Sequence, residues 1–243
     1  MSNSLRALSP VRAFCALLAL LVYPACGGNE PAPQAPEPTS TPRDEAPSRV
    51  DVSAEIGGLS EEKVDKTFQS ALSDFQRCLD AGSKRVEFLG GKVSFFVKID
   101  VHGKVDHAHL EKSTMGDRDT EKCMLDSLRG KHWPKPVGGL HGLARKSFDF
   151  DPPNDVRAPT SWDGDRISDA VGKLTKQLSA CKKGENGAFE ATLYVATDGT
   201  VLSAGVTPPD EAGEAAVDCL VGTLKGASLP SPGSWPAKVT FTL

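Results

Sequence analysis

Few side chains in this sequence have the type and spacing to do chemistry, and the cysteines come first. Six are present: Cys15, Cys26, Cys78, Cys123, Cys181 and Cys219. A thiol can be a nucleophile, a metal ligand, a lipid acceptor or half of a disulfide, and context separates these roles. No C-x-x-C pair occurs, so the usual short redox and zinc patterns are missing. His107-Ala-His109 is the next candidate. Residues two apart on a strand share a face, so two imidazoles there could take up Zn²⁺ or Cu²⁺, with His102, His132 and His141 as possible further donors. Protein metal sites want three or four donors, and nothing in the sequence places the other histidines nearby. Ser113-Thr114 with Asp117 and Asp119 has the composition of a helix N-cap rather than of a nucleophile site. Trp133-Pro134 reads as a core plug rather than as an exposed recognition surface. No G-x-S-x-G, H-E-x-x-H or G-x-x-x-x-G-K-[S/T] is present. The expectation is therefore no enzyme, no cofactor and no small-molecule substrate.

The elements that must position these residues come in two copies. Cys123–Pro136 (CMLDSLRGKHWPKP) and Cys219–Pro232 (CLVGTLKGASLPSP) align without a gap at Cys, Leu, Gly and both prolines. Such a match marks an internal repeat. Before Cys78, Val64, Phe68, Leu72 and Phe75 make one apolar helical stripe; before Cys181, Ile167, Val171, Leu174 and Leu178 repeat it. Ser60 followed by Glu61 and Glu62 suggests a capping-box start for the first of these helices. Val93–Val101 alternates with period two, answered by Phe189–Val195, and each run ends in a turn, His102-Gly103 or Asp198-Gly199. Asp-Gly predicts a two-residue type I′ hairpin. Returning strands follow at Val105–Leu110 and Val201–Val206. A second helix covers about Asp119–Arg129 and Asp210–Lys225, with Gly130 and Gly226 as C-caps. Last strands follow at Lys146–Phe150 and Lys238–Leu243. Ser203 and Gly205 stand where the first copy has His107 and His109, so the fold does not need histidine there. The predicted fold class is α+β: two tandem αββαβ domains, each a three-stranded antiparallel sheet with two helices on one face.

Composition sets the address. The chain is 39% hydrophobic and 25% charged with a net charge of −4, ordinary for a globular protein. Residues 1–25 carry Arg6 and Arg12 and then an apolar run, Ala13–Val22, too short to span a bilayer. This is the pattern of a secretory signal. Its removal leaves 26 basic against 32 acidic residues, a net −6 that offers no footprint for nucleic acid. Residues 26–58 carry Pro31, Pro33, Pro36, Pro38, Pro42 and Pro47 among Ala, Glu, Ser and Thr, and read as a disordered tether. Ala25-Cys26-Gly27-Gly28 resembles a bacterial lipoprotein signal, with Cys26 as the lipidated residue. Tyr23 stands where that pattern has Leu, and the alternative is an ordinary signal peptide cut after Ala25. With Cys15 in the signal and Cys26 lipidated, four cysteines remain, and an even number in a secreted chain predicts disulfides. Three connectivities are possible. Each repeat contains one pair, so the expected bonds are Cys78–Cys123 and Cys181–Cys219. The resulting domains are 59–152 and 165–243, joined by a linker at 153–164.

One resemblance extends this reading. FQRC (75–78), VSFFVKIDVHGKV (93–105), STMGD (113–117), EKCM (121–124), WPKP (133–136) and SFDF (147–150) occur in that order. The series is similar to the AgmX/PglI C-terminal domain, a TonB-C-terminal-like module of myxobacterial envelope lipoproteins. It covers residues 64–152, and 165–243 reads as a degenerate copy whose tryptophan is displaced to Trp235. The resemblance implies an envelope location, lipid-anchored and facing the periplasm. It also implies contact with another envelope protein rather than catalysis. Gly27 after Cys26 points to the outer membrane. Candidate contact strands are the possible sheet edges Lys146–Phe150 and Lys238–Leu243. The alternative is a periplasmic metal-binding or sensing protein using His107 and His109.

Overall fold

The computed structural model describes residues 57–153 and 155–243. The chain divides between Arg49 and Val50 into two units, and the signal, Cys26 and the tether as far as Ile56 lie outside the described residues. Both repeats belong to the second unit.

In the first copy, α1 (Glu61–Ser83) is followed by β1 (Gly91–Asp100), β2 (Val105–Ser113), α2 (Arg118–Arg129) and β3 (His141–Phe150). The strands form an antiparallel sheet in the order β2-β1-β3. The stripe of α1 delivers Val64, Phe68 and Phe75 to the core, and Val93, Phe95, Val97 and Ile99 meet them from β1. Phe75 stacks on Phe95 with ring centroids 5.2 Å apart, and Phe68 meets Trp133 edge-on at 5.0 Å. Trp133 is buried and its Nε1–H donates to the Leu128 carbonyl at 3.0 Å, closing the end of α2. This is the core role expected of it.

The second copy departs from the expected plan in three places. Its sheet has four strands, in the order β4-β7-β5-β6. The residues read as a linker supply β4 (Thr160–Trp162), which pairs in parallel with β7 (Ala237–Thr242). Trp162 is buried in the second core, which explains why this segment is structured. The first helix of this copy is broken into a 3₁₀ turn (Gly164–Ile167), α3 (Ser168–Gly172) and α4 (Thr175–Lys182). Gly172 is a poor helix former, and Thr175 Oγ1 donates to its carbonyl at 2.7 Å, a side-chain bond that competes with the helical ladder. β5 (Glu190–Val195), β6 (Val201–Thr207) and α5 (Glu214–Lys225) complete the copy.

Local details also differ from expectation. Both hairpins are three-residue loops rather than two-residue ones. Asp100 N–H donates to Lys104 O and Gly103 N–H to Asp100 O, with Ala196, Thr200 and Gly199 repeating the pattern. Only the glycine is left-handed, at φ 81° for Gly103 and 87° for Gly199. A side chain on either would also strike the carbonyl of Trp133 or of Leu229. Leu229, not Trp235, therefore occupies the place of Trp133 in the second copy. Trp235 packs instead toward Phe88 of the first. Gly130 and Gly226 cap their helices in right-handed conformation, and the Ser60 side chain makes no capping bond.

The two copies share a buried seam. Leu193 and Val195 turn inward to α5 and the second core, while Thr192, Tyr194, Ser203, Gly205 and Lys238 occupy the opposite face of the sheet. In an isolated αββαβ domain that face would be solvated. Here α2 and the Phe88–Gly90 segment cover it, and Tyr194 belongs to the core of the first copy.

Candidate functional site

The four cysteines among the described residues are structural. Cys78 of α1 is bonded to Cys123 of α2, with Cα atoms 5.8 Å apart, and Cys181 of α4 to Cys219 of α5, at 5.5 Å. Each bond fixes the two helices of one copy over one face of its sheet. Cys26, the expected lipid acceptor, lies outside the described residues.

His107 and His109 do lie side by side on β2, ring centroids 5.2 Å apart. His109 is buried against Phe96 at 4.8 Å, and burial, then the neighbouring His107, pushes its pKa below the ordinary value. His107 Nδ1 faces Glu211 at 3.6 Å, and His141 pairs with Asp106 rather than joining them. Among the described residues no group of three or more His, Cys, Asp or Glu side chains is placed to hold a metal ion.

Sequence reasoning missed the polar centre of the seam. Asp117 stands at the N-cap position of α2, but its side chain does not cap the helix. Its Oδ1 accepts from Ser203 Oγ at 2.8 Å across the seam, and its Oδ2 accepts from Thr120 Oγ1 and from Arg85. Arg118 ties α2 to α5 through Asp218 at 2.7 Å and Glu214 at 3.0 Å. Glu121 is fully buried beneath Gly205, where any Cβ would collide with its carboxylate. Ser113 Oγ–H donates to Glu121 Oε1 at 2.6 Å, while Oε2 has no partner among the described residues. Burial raises the Glu121 pKa to about 7, against the lowering pull of Ser113 and Arg118. Lys238 is half-buried; that burial lowers its pKa to about 8, and its Nζ donates to the Gly90 carbonyl at 2.6 Å. One signal for Glu121 was available: it stands four and seven residues before Leu125 and Leu128, on the apolar face of α2.

This arrangement predicts a pH dependence. Glu121 holds its proton in the folded chain up to about pH 7, whereas its ordinary value is 4.5. Its contribution is complete below pH 4.5 and is lost as pH rises through 7, which amounts to about 2–3 kcal/mol. Urea unfolding of the native chain and of Glu121→Gln, at pH 5 and again at pH 7.5, should show the native chain losing that much relative to the variant. Parallel pH profiles would contradict it. Taking the difference between the two proteins removes the opposing titration of His109, whose lowered pKa favours folding as pH rises.

The remaining candidates are the two sheet edges. Lys238–Leu243 is not a free edge: β4 covers β7 from Ala237 to Val239, and Gly164 packs on Phe241 beyond it. β2 and β6, the opposite edges of the two sheets, approach each other at the seam. Lys146–Phe150 fares differently. β3 pairs with β1 in unbroken register from Gly91↔Phe150 to Asp100↔His141. The His141 carbonyl points away from β1, because it accepts from Gly57 N–H at 2.7 Å. Backbone groups alternate in direction along an antiparallel strand, so Leu143, Arg145, Ser147 and Asp149 also point outward. Among the described residues no hydrogen bond reaches those outward groups. Above this edge Arg145 is held by Glu111 at 2.7 Å and lies over Phe96; below it Lys146 reaches Asp65 of α1 at 2.8 Å.

Comparison with known proteins adds no relative: no protein-family model, no curated protein and no solved structure matches the chain. No described helix is long and apolar enough to cross a membrane.

Proposed function

We propose that this is a tethered, non-catalytic envelope lipoprotein of the TonB-C-like kind, anchored through Cys26, that holds another envelope protein by strand addition along β3. The observation that carries this reading is the row of outward backbone groups on β3, from Leu143 to Asp149, that find no hydrogen-bond partner among the described residues. An unpaired edge is a template for an incoming extended segment, with main-chain bonds giving affinity and flanking side chains giving choice. Arg145 and Lys146 on the two faces of the strand favour an acidic or polar segment. Two disulfides accord with an oxidising compartment. The outer membrane is the proposed anchoring site, and the module's role is to bind rather than to transduce energy.

The edge can be tested without disturbing the sheet. Ser147→Pro removes an outward N–H and leaves the backbone bonds to β1 in place, losing besides only the exposed side-chain bond between Ser147 and Ser94, since proline is tolerated on the free side of an edge strand. With a photo-crosslinking residue in place of Asp149, cells should yield one discrete protein adduct. Ser147→Pro should lower its yield by about tenfold, the equivalent of one lost buried main-chain bond. Equal yields with and without the proline would defeat the docking mode. No adduct at all would defeat the binding role of this edge.

A further inference from the structure

We infer that one end of the first copy is a membrane-contact tip: Val101, Val137 and Leu140 enter the interfacial zone of a bilayer, with Lys104 and Lys135 among its anionic headgroups. The advantage this gives an anchored protein rests on the lipidation at Cys26 proposed above; the tip itself does not.

Exposure selects the place. Among the described residues the exposed large hydrophobic side chains are Val101, Val137, Leu140 and Leu202, and Val137 and Leu140 stand out at 78% and 61% exposed. One exposed apolar residue is ordinary, but the first three of these share one end of one copy. Asp100 and His141 are the last pair of β1 and β3, so Val101 and Leu140, the neighbours beyond that pair, leave the sheet side by side. The hairpin loop is seated on the segment after α2. Trp133 N–H donates to the Gly103 carbonyl at 3.1 Å, and a Cβ on Gly103 would lie 3.6 Å from the stem of Lys135. Val137 is fixed by two backbone bonds of 3.0 Å with Gly58. Gly138, at φ 78°, then turns the chain toward Leu140, and nothing stands within 4 Å of where its side chain would be. The apolar side chains thus project from a pinned backbone, and little ordering entropy opposes their insertion.

Charge and shape select the occupant. No Asp or Glu occurs from Ser127 to Phe148. Arg129 and Lys131 are held by Asp126 and Asp74, which leaves Lys104 and Lys135, both exposed, as cations of the tip with no ion pair among the described residues. Asp100, next to Val101, turns its Oδ1 into the loop, where it accepts from the His102 and Lys104 N–H groups at 2.8 Å. Asp106 faces Lys98 and His141. In the first turn of α1, Glu62 pairs with Lys66, and Lys63 offsets Glu61. A protein partner would need a broader matched surface, about 800 Å² a side. Three apolar side chains on a projecting loop suit a bilayer surface, where apolar burial and attraction to anionic lipid add.

Position agrees with both. The described fold is entered at this same end, where Gly57 N–H donates to the His141 carbonyl at 2.7 Å. Gly57 comes about 30 residues after Cys26, and a short tether holds its cargo at an effective concentration in the millimolar range. A millimolar affinity for lipid is therefore enough for an anchored chain to rest on this end. Because β3 begins at the tip, such contact stands the docking edge up from the bilayer.

Vesicle sedimentation tests the tip on the full mature chain, from residue 26 with Cys26→Ser so that no lipid is attached. The vesicles are phosphatidylglycerol and phosphatidylcholine in equal parts, or phosphatidylcholine alone. Half of the chain should bind the anionic vesicles at about 1–10 mM lipid. Phosphatidylcholine alone should bind at least about tenfold more weakly, since each lysine near an anionic surface contributes about fivefold. Val137→Asp with Leu140→Asp, both at exposed positions, should weaken anionic binding at least about tenfold. Lys104→Gln with Lys135→Gln should weaken it about as much, and Leu202→Asp should leave it unchanged. No binding by the unsubstituted tip at about 10 mM lipid, or equal binding by the Val137/Leu140 variant, overturns the tip. Equal binding to both kinds of vesicle overturns the anionic class. If the Val137/Leu140 variant loses the crosslinked adduct at position 149 but keeps its vesicle binding, the tip contacts protein and the bilayer is overturned. Failure of Cys26 to take up labelled palmitate in cells would sink the anchor alone, and the vesicle result would still decide the tip.

Discussion

Replacing Cys78 and Cys123 together by alanine should lower the unfolding free energy by about 4 kcal/mol, and replacing Cys181 and Cys219 by nearly as much. The bonds close loops of 45 and 38 residues. Chain-entropy arithmetic for loops of that length gives about 4 kcal/mol each, with the constraint acting on the unfolded chain. A typical domain has only about 5–15 kcal/mol in hand, so either loss is a large fraction of the total. The geometry makes the second bond the more consequential for local structure. α1 is a 23-residue helix with its own buried stripe, whereas α3 and α4 together provide 13 helical residues (5 and 8), interrupted after Gly172. Apart from Cys181, only Ile167 and Leu178 of that broken helix are fully buried in the second core, with Ala170, Val171 and Leu174 partly buried against it. Urea titration of each double variant, followed by circular dichroism, checks both claims. The Cys78/Cys123 variant should keep its helical signal before the transition, and the Cys181/Cys219 variant should lose part of it. A cost below about 1 kcal/mol for both pairs would contradict the account.

Much of this fold was legible because each copy repeats the same physical pattern. The stripe before each disulfide cysteine, the alternating strands and the shared glycine turn specify helix, hairpin, helix and strand through local periodicity alone. The pairing of cysteines follows from the repeat register. What local pattern could not convey was the other side of the second sheet. Thr192, Tyr194, Ser203 and Gly205 alternate with core residues, and alternation predicts a solvated face. Only docking against α2 buries them, and docking depends on residues some 80 to 100 positions away. β4 escaped for a related reason: a three-residue strand has no period to detect, and Trp162 reveals its role only once β7 is beside it. The edge at Lys146–Phe150 was foreseeable from strand order, but the fate of Lys238–Leu243 depended on β4. The polar centre of the seam was within reach through Glu121 alone, a carboxylate at core spacing on α2.

Tyr194→Ala should be the most disruptive single substitution of the seam, costing about 3–5 kcal/mol. The side chain is fully buried, yet it belongs to a strand of one copy and to the core of the other. Its ring lies 5.5 Å from that of Phe88, and Lys238 Nζ stands 5.1 Å from its centroid. Its hydroxyl donates to the Gly90 carbonyl at 3.0 Å and accepts from Gly90 N–H at 3.3 Å. Alanine empties a cavity between the copies and leaves the Gly90 N–H without that acceptor. Phenylalanine keeps the packing and removes only the hydroxyl, for about 1–2 kcal/mol, because Lys238 still donates to the Gly90 carbonyl. The ratio of the two costs separates packing from hydrogen bonding. The form of unfolding separates coupling from mere stability. While the seam is intact, the two disulfide-stapled cores should unfold in one transition. Tyr194→Ala removes a fully buried aromatic that both copies share, so thermal unfolding should split into two steps, each with a smaller enthalpy than the original. A single transition displaced to lower temperature would mean that Asp117, Glu121 and Arg118 suffice to couple the copies without it.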